Sequence, residues 1–301
     1  MITGIINSNI KEADVVILGA GYEKTASSHK GTSKGPARVV EMLDTQIEFF
    51  NRKFKRNVND FVKIAHEDLG NLDKFSPEEV LEKIRAKCTE LVSAGKFIFL
   101  LGGEHSVSLG HFQALIETHD PKDVTILDID AHCDLRDDDS DYNDKSPSRF
   151  AHSTVMRRAS ELGFPIVQVG VRTYSKEEYE YFSNAKNNVT VFECLPAGKA
   201  GGNEIAPVEE ILEVIKTKNV YLSIDVDGFD PAHMPGTGTP VQGGLGWWYG
   251  LELVEQVVTK CNLLGADIVE VSPQEDTVLT EYGAAELLYT ILANKFREKL
   301  D

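Results

Sequence analysis

Short apolar segments alternate along most of this chain with longer segments of helical pattern. Two of the apolar segments, residues 96–101 (KFIFLL) and 123–129 (DVTILDI), are almost continuously apolar, which is typical of strands buried on both faces. Parallel strands need long crossover connections, and the helical segments between them supply these. The alternation therefore predicts an α/β fold in which helices flank both faces of a mostly parallel sheet.

The same pattern gives bounds for the elements. We predict eight strands, at residues 13–19, 61–65, 96–101, 123–129, 165–170, 189–193, 219–224 and 265–271. Helices are predicted at residues 76–94, 106–117, 176–185, 208–217, 247–260 and 281–299. The first helix has a capping signal, because Ser76 precedes Pro77 and Glu79 follows three residues after the serine. Residues 136–148 are predicted to form a polar surface loop, so residues 1–301 are expected to form a single domain.

Charge and composition exclude several classes of function. The 301 residues carry a net charge of −17, and an acidic surface repels phosphate backbones, so we expect no nucleic-acid partner. The sequence has no run of about 18 apolar residues and no secretory signal, so we expect a cytoplasmic protein without membrane contact. The four cysteines are far apart, which argues against a structural zinc site or a disulfide framework.

Polar clusters accompany four of the predicted strands. The candidate residues are His105, Asp130, His132, Asp134, Asp225, Asp227 and Glu270. Ligands of open parallel sheets bind beyond the carboxyl ends of the strands, so side chains from these four strands can converge on one site. This convergence is the main evidence for a functional centre, because scattered aspartates would not show it.

The spacing within the clusters predicts a metal site. In extended chain, residues two apart face the same side, so the three polar residues of DAHCD (130–134) that are two apart project together, as do the two aspartates of DVD (225–227). Carboxylates so close together are costly to bury without a cation. With His105, the ligands outnumber the four that one tetrahedral zinc takes, and oxygen donors mixed with imidazole favour Mn²⁺. We therefore predict two metal ions, about 3.5–4 Å apart.

Each motif alone has a simpler explanation. A DxD sequence often lies in a solvated loop, and a single histidine such as His105 can cap a helix. Two such motifs after separate strands, with a histidine after a third, make a coincidence improbable. The glycines at 102–103 and the segment PGTGTP (235–240) are interpreted as turns that shape loops beside the site, because glycine permits positive φ.

Four segments resemble one protein family. GGEHS (102–106), DAHCD (130–134), SIDVDGFDPAHMPGTGTP (223–240) and EVSP (270–273) closely resemble the ureohydrolases, the arginase and agmatinase group. The resemblance extends through most of the chain, beginning at GTSKGP (31–36). It implies an arginase-like single α/β domain, a binuclear centre with two Mn²⁺, and hydrolysis of a guanidino compound to urea and an amine. It also implies a homo-oligomer, either a trimer or a hexamer.

The resemblance further implies a role for each site residue. The metal ligands would be His105, Asp130, His132, Asp134, Asp225 and Asp227. Glu270 matches the acidic residue that pairs with the substrate guanidinium, and His152 matches a proton-shuttling histidine beside the substrate. Asp134 is the candidate for passing a proton to the leaving amine, and Asp230 for ordering its loop. The sequence alone leaves simpler roles open, namely a surface position for His152 and a salt bridge from Glu270 to a lysine.

The loop that follows DAHCD bears on the choice of substrate. Its sequence, LRDDDSD (135–141), would repel a substrate carboxylate and favour a second cationic end. The predicted substrate is therefore the small cation agmatine, which would yield urea and putrescine. Arg136 opposes this, since it could pair with a carboxylate, and Ser33 replaces an arginine expected in agmatinases. Arginase, guanidinobutyrase and aminopropylagmatine hydrolase activities stay open as alternatives.

Two other classes of protein fit parts of the pattern. A two-metal phosphoesterase would need an arginine or lysine clamp near the clusters, which the sequence lacks. A non-catalytic metal-binding protein is disfavoured because all six ligands, His152 and Glu270 are present together.

Overall fold

A computed structural model describes residues 4–196 and 203–300. Within these ranges, eight strands form one sheet in the order β2-β1-β3-β8-β7-β4-β5-β6, and every neighbouring pair is parallel. The strands are β1 Val15–Gly21, β2 Ile64–Asn71, β3 Phe97–Gly102, β4 Val124–Ile129, β5 Ile166–Val171, β6 Val189–Glu193, β7 Asn219–Ile224 and β8 Asn262–Ile268. The predicted parallel α/β sheet is confirmed.

In the described ranges, seven helices connect these strands as crossovers, and two more follow the last strand. They are α1 Gly35–Thr45, α2 Pro77–Ser93, α3 Ser108–Leu115, α4 Val155–Leu162, α5 Lys176–Phe182, α6 Val208–Val214, α7 Trp247–Lys260, α8 Leu279–Lys295 and α9 Arg297–Leu300. Two-residue strands also pair outside the main sheet, Phe50–Asn51 with Arg56–Asn57 and Leu195–Pro196 with Asn203–Glu204. None of the helices within 4–196 and 203–300 is long and apolar enough to cross a membrane.

The core lies on both faces of the sheet, because successive strand side chains point to opposite sides. In β1, Val15 and Ile17 pack into a cluster that includes residues of α1, α7 and α8. Val16 and Leu18 of the same strand pack into a second cluster with residues of α2. With both faces covered, the strands can be apolar throughout, which explains their sequence pattern.

Two predicted strands are offset from the observed ones, and two helices were not predicted. The strand expected at 61–65 lies at Ile64–Asn71, where it forms one edge of the sheet and is half-exposed and polar. The strand expected at 265–271 lies at Asn262–Ile268, because the buried apolar run continues past the end of the ladder. Helix α4 begins at a residue without a side-chain capping hydrogen bond, so its sequence lacks that start signal. Helix α1 also lacks a side-chain cap, but Pro36 in its first turn is a start signal that the apolar pattern did not reveal.

The strand order brings the polar clusters together. The four strands that the clusters accompany, β3, β8, β7 and β4, are consecutive neighbours in the middle of the sheet. Their carboxyl ends meet at one edge, which is where ligands bind in sheets of this type. The topology therefore places all four clusters beside one another.

The capping box at the start of α2 is formed as predicted and offers a test of the local fold. Ser76 Oγ accepts a hydrogen bond from the Glu79 N–H, and the Glu79 carboxylate accepts one from the Ser76 N–H. We expect Ser76→Ala to lower the free energy of unfolding by about 1 kcal/mol, measured by urea denaturation at fixed protein concentration. Ser93→Ala, at the exposed last residue of α2, is the matched control and should change it by less than about 0.5 kcal/mol. Equal effects of the two substitutions would contradict the role of the cap.

Candidate metal centre

Two groups of three side chains lie close enough to hold metal ions. In the first group, ligand atoms of His105, Asp130 and Asp225 all lie within 4.8 Å of one another. In the second, ligand atoms of Asp130, His132 and Asp227 do the same. Asp130 belongs to both groups, so its carboxylate stands between the two candidate positions. We call these groups the His105 trio and the His132 trio.

Asp134, the sixth predicted ligand, is in neither trio but adjoins the first. Its Oδ2 atom lies 3.2 Å from His105 Nδ1, the same distance that separates His105 Nδ1 from Asp130 Oδ2. The structure thus brings five of the six predicted ligands into the trios, with the sixth beside them.

Unpartnered atoms support the fit of a cation to the His105 trio. His105 Nδ1 and Asp130 Oδ2 are buried and have no hydrogen-bond partner in the described part of the chain. Buried polar atoms of this kind are rare and call for a partner such as an ion. Imidazole nitrogen and carboxylate oxygen together form a donor set suited to Mn²⁺, so the residues present fit the predicted centre.

Electrostatics at the centre favour bound positive charge. Burial lowers the pKa of His105 and of His132, but the surrounding aspartates outweigh this and hold both pKa values well above the usual range. Burial raises the pKa of Asp134 to about 7, helped by repulsion from Asp130. Burial also raises the pKa of Asp225 well above its usual range, with further repulsion from Asp227. The raised pKa values of Asp134 and Asp225 have the sign expected for carboxylates crowded into low dielectric, whereas burial of Asp130 is outweighed by hydrogen bonds from His105 and His132, which lower its pKa.

Glu270 and His152 lie beside the trios, as the sequence predicted. Glu270 Oε1 accepts a hydrogen bond from the His105 N–H at 3.0 Å and lies 3.7 Å from His152 Nδ1. His152 Nε2 accepts a hydrogen bond from the Ser27 N–H, and burial lowers the pKa of His152 to about 3. His152 is therefore no ordinary surface histidine. Among the described residues, no lysine or arginine forms an ion pair with Glu270, which removes the alternative of a salt bridge to lysine.

Two site residues adopt an unusual backbone conformation. Among residues 4–196 and 203–300, positive φ occurs at four residues other than glycine, and Asp134 (φ 50°) and Glu270 (φ 62°) are two of them. Such conformations cost of order 1–3 kcal/mol and persist where the surrounding structure enforces them, often at functional sites. The turn after each strand therefore aims these two carboxylates at the centre.

The glycines at 102–103 and in PGTGTP (235–240) do not adopt the positive φ expected for them, and those at 102, 103 and 236 are instead required by close packing. Asp230 orders its loop as predicted, and Thr239 is an addition. A Cβ atom at Gly103 would lie 1.9 Å from the Tyr22 carbonyl oxygen, so only glycine fits there. Asp230 accepts hydrogen bonds from the N–H groups of Ala232, Gly243 and Gly244. The addition is Thr239, in the segment interpreted as a turn, whose hydroxyl donates to Asp227 Oδ2 at 3.2 Å.

Arg172 is a further residue that the sequence did not single out. Its guanidinium donates to the backbone carbonyls of Asp227 (2.6 Å), Val241 (2.7 Å) and Gly170 (3.0 Å). It therefore ties the loop that carries Asp227 to the end of β5. Side-chain bonds to backbone carbonyls leave no motif, so spacing alone could not reveal this role.

A cavity of about 230 Å³ opens beside the centre. Its lining includes His132, Asp134, Arg136, His152 and Glu178. The cavity is smaller than the usual range of pockets for drug-sized ligands, about 300–1,000 Å³, and suits a short linear substrate.

The acidic loop contributes less charge to this cavity than its sequence suggests. Asp137 points away, toward Arg149, Arg157 and Arg158, the last at 2.9 Å. Asp139 is buried and accepts a hydrogen bond from the Ser148 N–H, which holds the loop in shape. The expectation that the whole loop repels a carboxylate is therefore corrected, because these two aspartates have other partners.

Arg136 also has partners within the chain. Its guanidinium forms an ion pair with Asp141 and lies 4.0 Å from Glu178 Oε2. Glu178 is buried and accepts hydrogen bonds from the N–H groups of Leu135 and Ser175. At this end of the cavity, one positive side chain thus stands against two negative ones.

Comparison with known proteins agrees with this geometry. The model of the arginase family matches residues 13–293. The chain is 32% identical to an N(1)-aminopropylagmatine ureohydrolase of Synechocystis sp. over 292 residues, covering 93% of this chain and 89% of that protein. It is 33% identical to an agmatinase of Bacillus anthracis over 276 residues, covering 89% and 87%. The crystal structure of the agmatine ureohydrolase of Thermoplasma volcanium superimposes with a TM-score of 0.81 at 29% identity, covering 99% of this chain and 95% of that one.

The shared position of Asp130 leads to a prediction about metal content. We expect Asp130→Ala to abolish binding of both ions, because it removes a ligand from each trio. Asp225→Ala should impair the His105 trio alone, and His132→Ala the His132 trio alone. The measurement is the number of Mn²⁺ ions per chain, by inductively coupled plasma mass spectrometry after loading and desalting.

The matched control for this series is Asp144→Asn, which changes an exposed aspartate of the neighbouring loop and should leave the metal content unchanged. Circular dichroism verifies that each variant is folded. Retention of both ions by folded Asp130→Ala would refute the shared-ligand arrangement.

Proposed function

The chain belongs to the arginase family, and from that premise we propose that it hydrolyses agmatine to urea and putrescine with two Mn²⁺ ions. As an arginase-family ureohydrolase, it acts on guanidino compounds. The substrate and the metal are the proposed parts. Six residues are proposed as ligands, His105, Asp130, His132, Asp134, Asp225 and Asp227.

The observation that carries the proposal is the position of Glu270. A buried carboxylate without a lysine or arginine partner is costly, and it suits a cation that arrives with the substrate. A guanidinium is planar, and a carboxylate can accept two parallel hydrogen bonds from it. Glu270 therefore supplies a binding position for the guanidinium beside the His105 trio.

The proposed chemistry needs a nucleophile, because a guanidinium is resonance-stabilised and reacts poorly with neutral water. Two bound divalent cations would supply an acidified water molecule and positive charge for the developing negative charge. Glu270 holds the guanidinium carbon in a fixed orientation relative to the trios, which lowers the entropic part of the barrier.

Two further side chains would move protons. Asp134 lies beside His105 and lines the cavity, so it is placed to pass a proton to the leaving amine. His152 also lines the cavity, where its side chain is 12% exposed. Because its lowered pKa keeps the imidazole neutral, its proposed role is to accept a proton transiently and release it to solvent.

Charge at the end of the cavity where Arg136 lies supports agmatine over arginine as the substrate. Arg136 is paired with Asp141 and Glu178, so it is not free for a substrate carboxylate, and the group of three has a net charge of −1. A carboxylate at this end would meet an unfavourable field, whereas an ammonium would meet a favourable one. Agmatine has an ammonium there and no carboxylate.

A longer polyamine is the second candidate. Tyr142 and Tyr174 line the cavity and are each 38% exposed, so their rings are open to solvent. Aromatic faces attract ammonium groups, which would suit a second cationic segment that extends past the mouth. The similarity to N(1)-aminopropylagmatine ureohydrolases points the same way.

A urea-release assay with Mn²⁺ tests the proposal. The panel is agmatine, aminopropylagmatine, arginine and 4-guanidinobutyrate, and the measured quantity is kcat/KM. We expect agmatine to exceed arginine and 4-guanidinobutyrate by more than about 100-fold, because both carry a carboxylate at the disfavoured end. A higher kcat/KM for aminopropylagmatine would favour the second candidate, and a preference for arginine would refute both.

The variant that tests Glu270 is Glu270→Gln, which keeps the size of the side chain and removes its charge. It should retain its bound Mn²⁺, because Glu270 is in neither trio, and lose urea production by about 100-fold or more. Full activity of this variant would remove Glu270 from the proposed mechanism.

A further inference from the structure

A chain of hydrogen bonds lies behind the His105 trio, between the sheet and α3. It connects five side chains, all with no exposed surface, in the order His105, Ser223, Asp267, Tyr221 and His111. The distances are 3.1 Å from His105 Nε2 to Ser223 Oγ, 2.8 Å from Ser223 Oγ to Asp267 Oδ1, 2.9 Å from Tyr221 Oη to Asp267 Oδ2, and 2.9 Å from Tyr221 Oη to His111 Nδ1.

The direction of each bond follows from the chemistry of Asp267. Burial raises the pKa of Asp267, but the donors that point at its oxygens, the Ser223 and Tyr221 hydroxyls and the Ile224 N–H, favour the ionised form, which only accepts hydrogen bonds. The single hydroxyl proton of Ser223 is therefore used toward Asp267. Ser223 Oγ can then interact with His105 only as an acceptor, so His105 Nε2 must carry a proton.

We propose that Ser223 and Asp267 act as positioning residues that keep the Nε2 atom of His105 protonated and its Nδ1 lone pair directed at the metal. This inference rests on the proposed metal centre, because it concerns how one ligand is prepared for it. Histidine ligands are generally held by a hydrogen bond from the nitrogen that does not bind metal, and the loss of that bond weakens metal affinity. Here the bond is made through a serine to a buried carboxylate.

A second carboxylate near His105 does not account for this arrangement. Asp128 Oδ1 lies 3.8 Å from His105 Nε2, which is beyond hydrogen-bond distance. The other oxygen of Asp128 accepts a hydrogen bond from Gln168, at 2.9 Å. Ser223 is therefore the direct partner of the Nε2 proton.

The other half of this chain of hydrogen bonds provides a matched control variant. Tyr221 and His111 reach Asp267 from the opposite side, and their rings meet edge to face with centroids 4.9 Å apart. Tyr221→Phe removes one hydrogen bond from Asp267, as Ser223→Ala does, but leaves the bond between Ser223 and His105 intact. A difference between these two variants separates positioning of His105 from a general role in core stability.

The experiment measures Mn²⁺ affinity by isothermal titration calorimetry for the wild type, Ser223→Ala, Asp267→Asn and Tyr221→Phe. We expect Ser223→Ala to raise the Kd of the His105 trio by about 10–100-fold, and Tyr221→Phe to leave it unchanged. The visible spectrum of the Co²⁺-loaded protein should shift in Ser223→Ala and stay at the wild-type position in Tyr221→Phe. Thermal unfolding of the metal-free proteins records any loss of core stability separately.

The protonation of His105 is measured directly by long-range ¹H–¹⁵N spectra of ¹⁵N-histidine-labelled protein, with His105→Gln to assign the signal. In Zn²⁺-loaded wild type we expect an Nε2–H signal that is shifted downfield and exchanges slowly, and in Ser223→Ala one that moves upfield and exchanges faster, since the hydrogen bond to Ser223 is lost. An Nε2–H signal unchanged by Ser223→Ala, or equal Mn²⁺ affinity in Ser223→Ala and the wild type, overturns the inference. Equal weakening of Mn²⁺ affinity by Ser223→Ala and Tyr221→Phe also overturns the inference, since the chain of hydrogen bonds would then serve core stability alone. If the wild type bound no Mn²⁺, the proposed function would fail, while the histidine spectrum would still decide this inference.

Discussion

The structure depends on how crowded negative charge is tolerated at one edge of the sheet. Asp130, Asp225 and Asp227 are almost completely buried within a few ångströms of one another, and Glu270 is buried beside them. Carboxylates in low dielectric repel strongly and favour their neutral forms, as the raised pKa values of Asp225 and Glu270 indicate. Bound divalent cations reverse this balance, so the same crowding becomes a source of metal affinity.

The fold provides the precision that such a centre requires. The ligands follow strands that are neighbours in the sheet, and rigid strands hold side chains more accurately than isolated loops. Arg172 fixes the loop that carries Asp227, and the left-handed turns at Asp134 and Glu270 set the direction of two carboxylates. The polar chain from Ser223 through Asp267 continues this support below the surface of the site. The unfavourable backbone conformations of Asp134 and Glu270 are thus compensated by the well-packed sheet beneath them.

The sequence predicted the sheet and the location of the site because both depend on repeating patterns. Apolar runs identify the buried strands, and spacing by two residues in DAHCD and DVD places side chains on one face. The directions of individual side chains could not be predicted in this way. The aspartates of the 136–148 loop looked alike in sequence, yet Asp137 faces three arginines and Asp141 pairs with Arg136. The contact from Ser223 to Asp267 joins positions 44 residues apart, which no local pattern reveals.

In the proposed centre, two ions share Asp130 between the His105 and His132 trios. The most direct measurement is anomalous X-ray diffraction at the manganese absorption edge from a crystal of the Mn²⁺-loaded protein. We expect two anomalous peaks, one within ligand distance of His105, Asp130 and Asp225, and the other within ligand distance of Asp130, His132 and Asp227. Peaks away from these side chains, or no peak at either trio after loading, would contradict it.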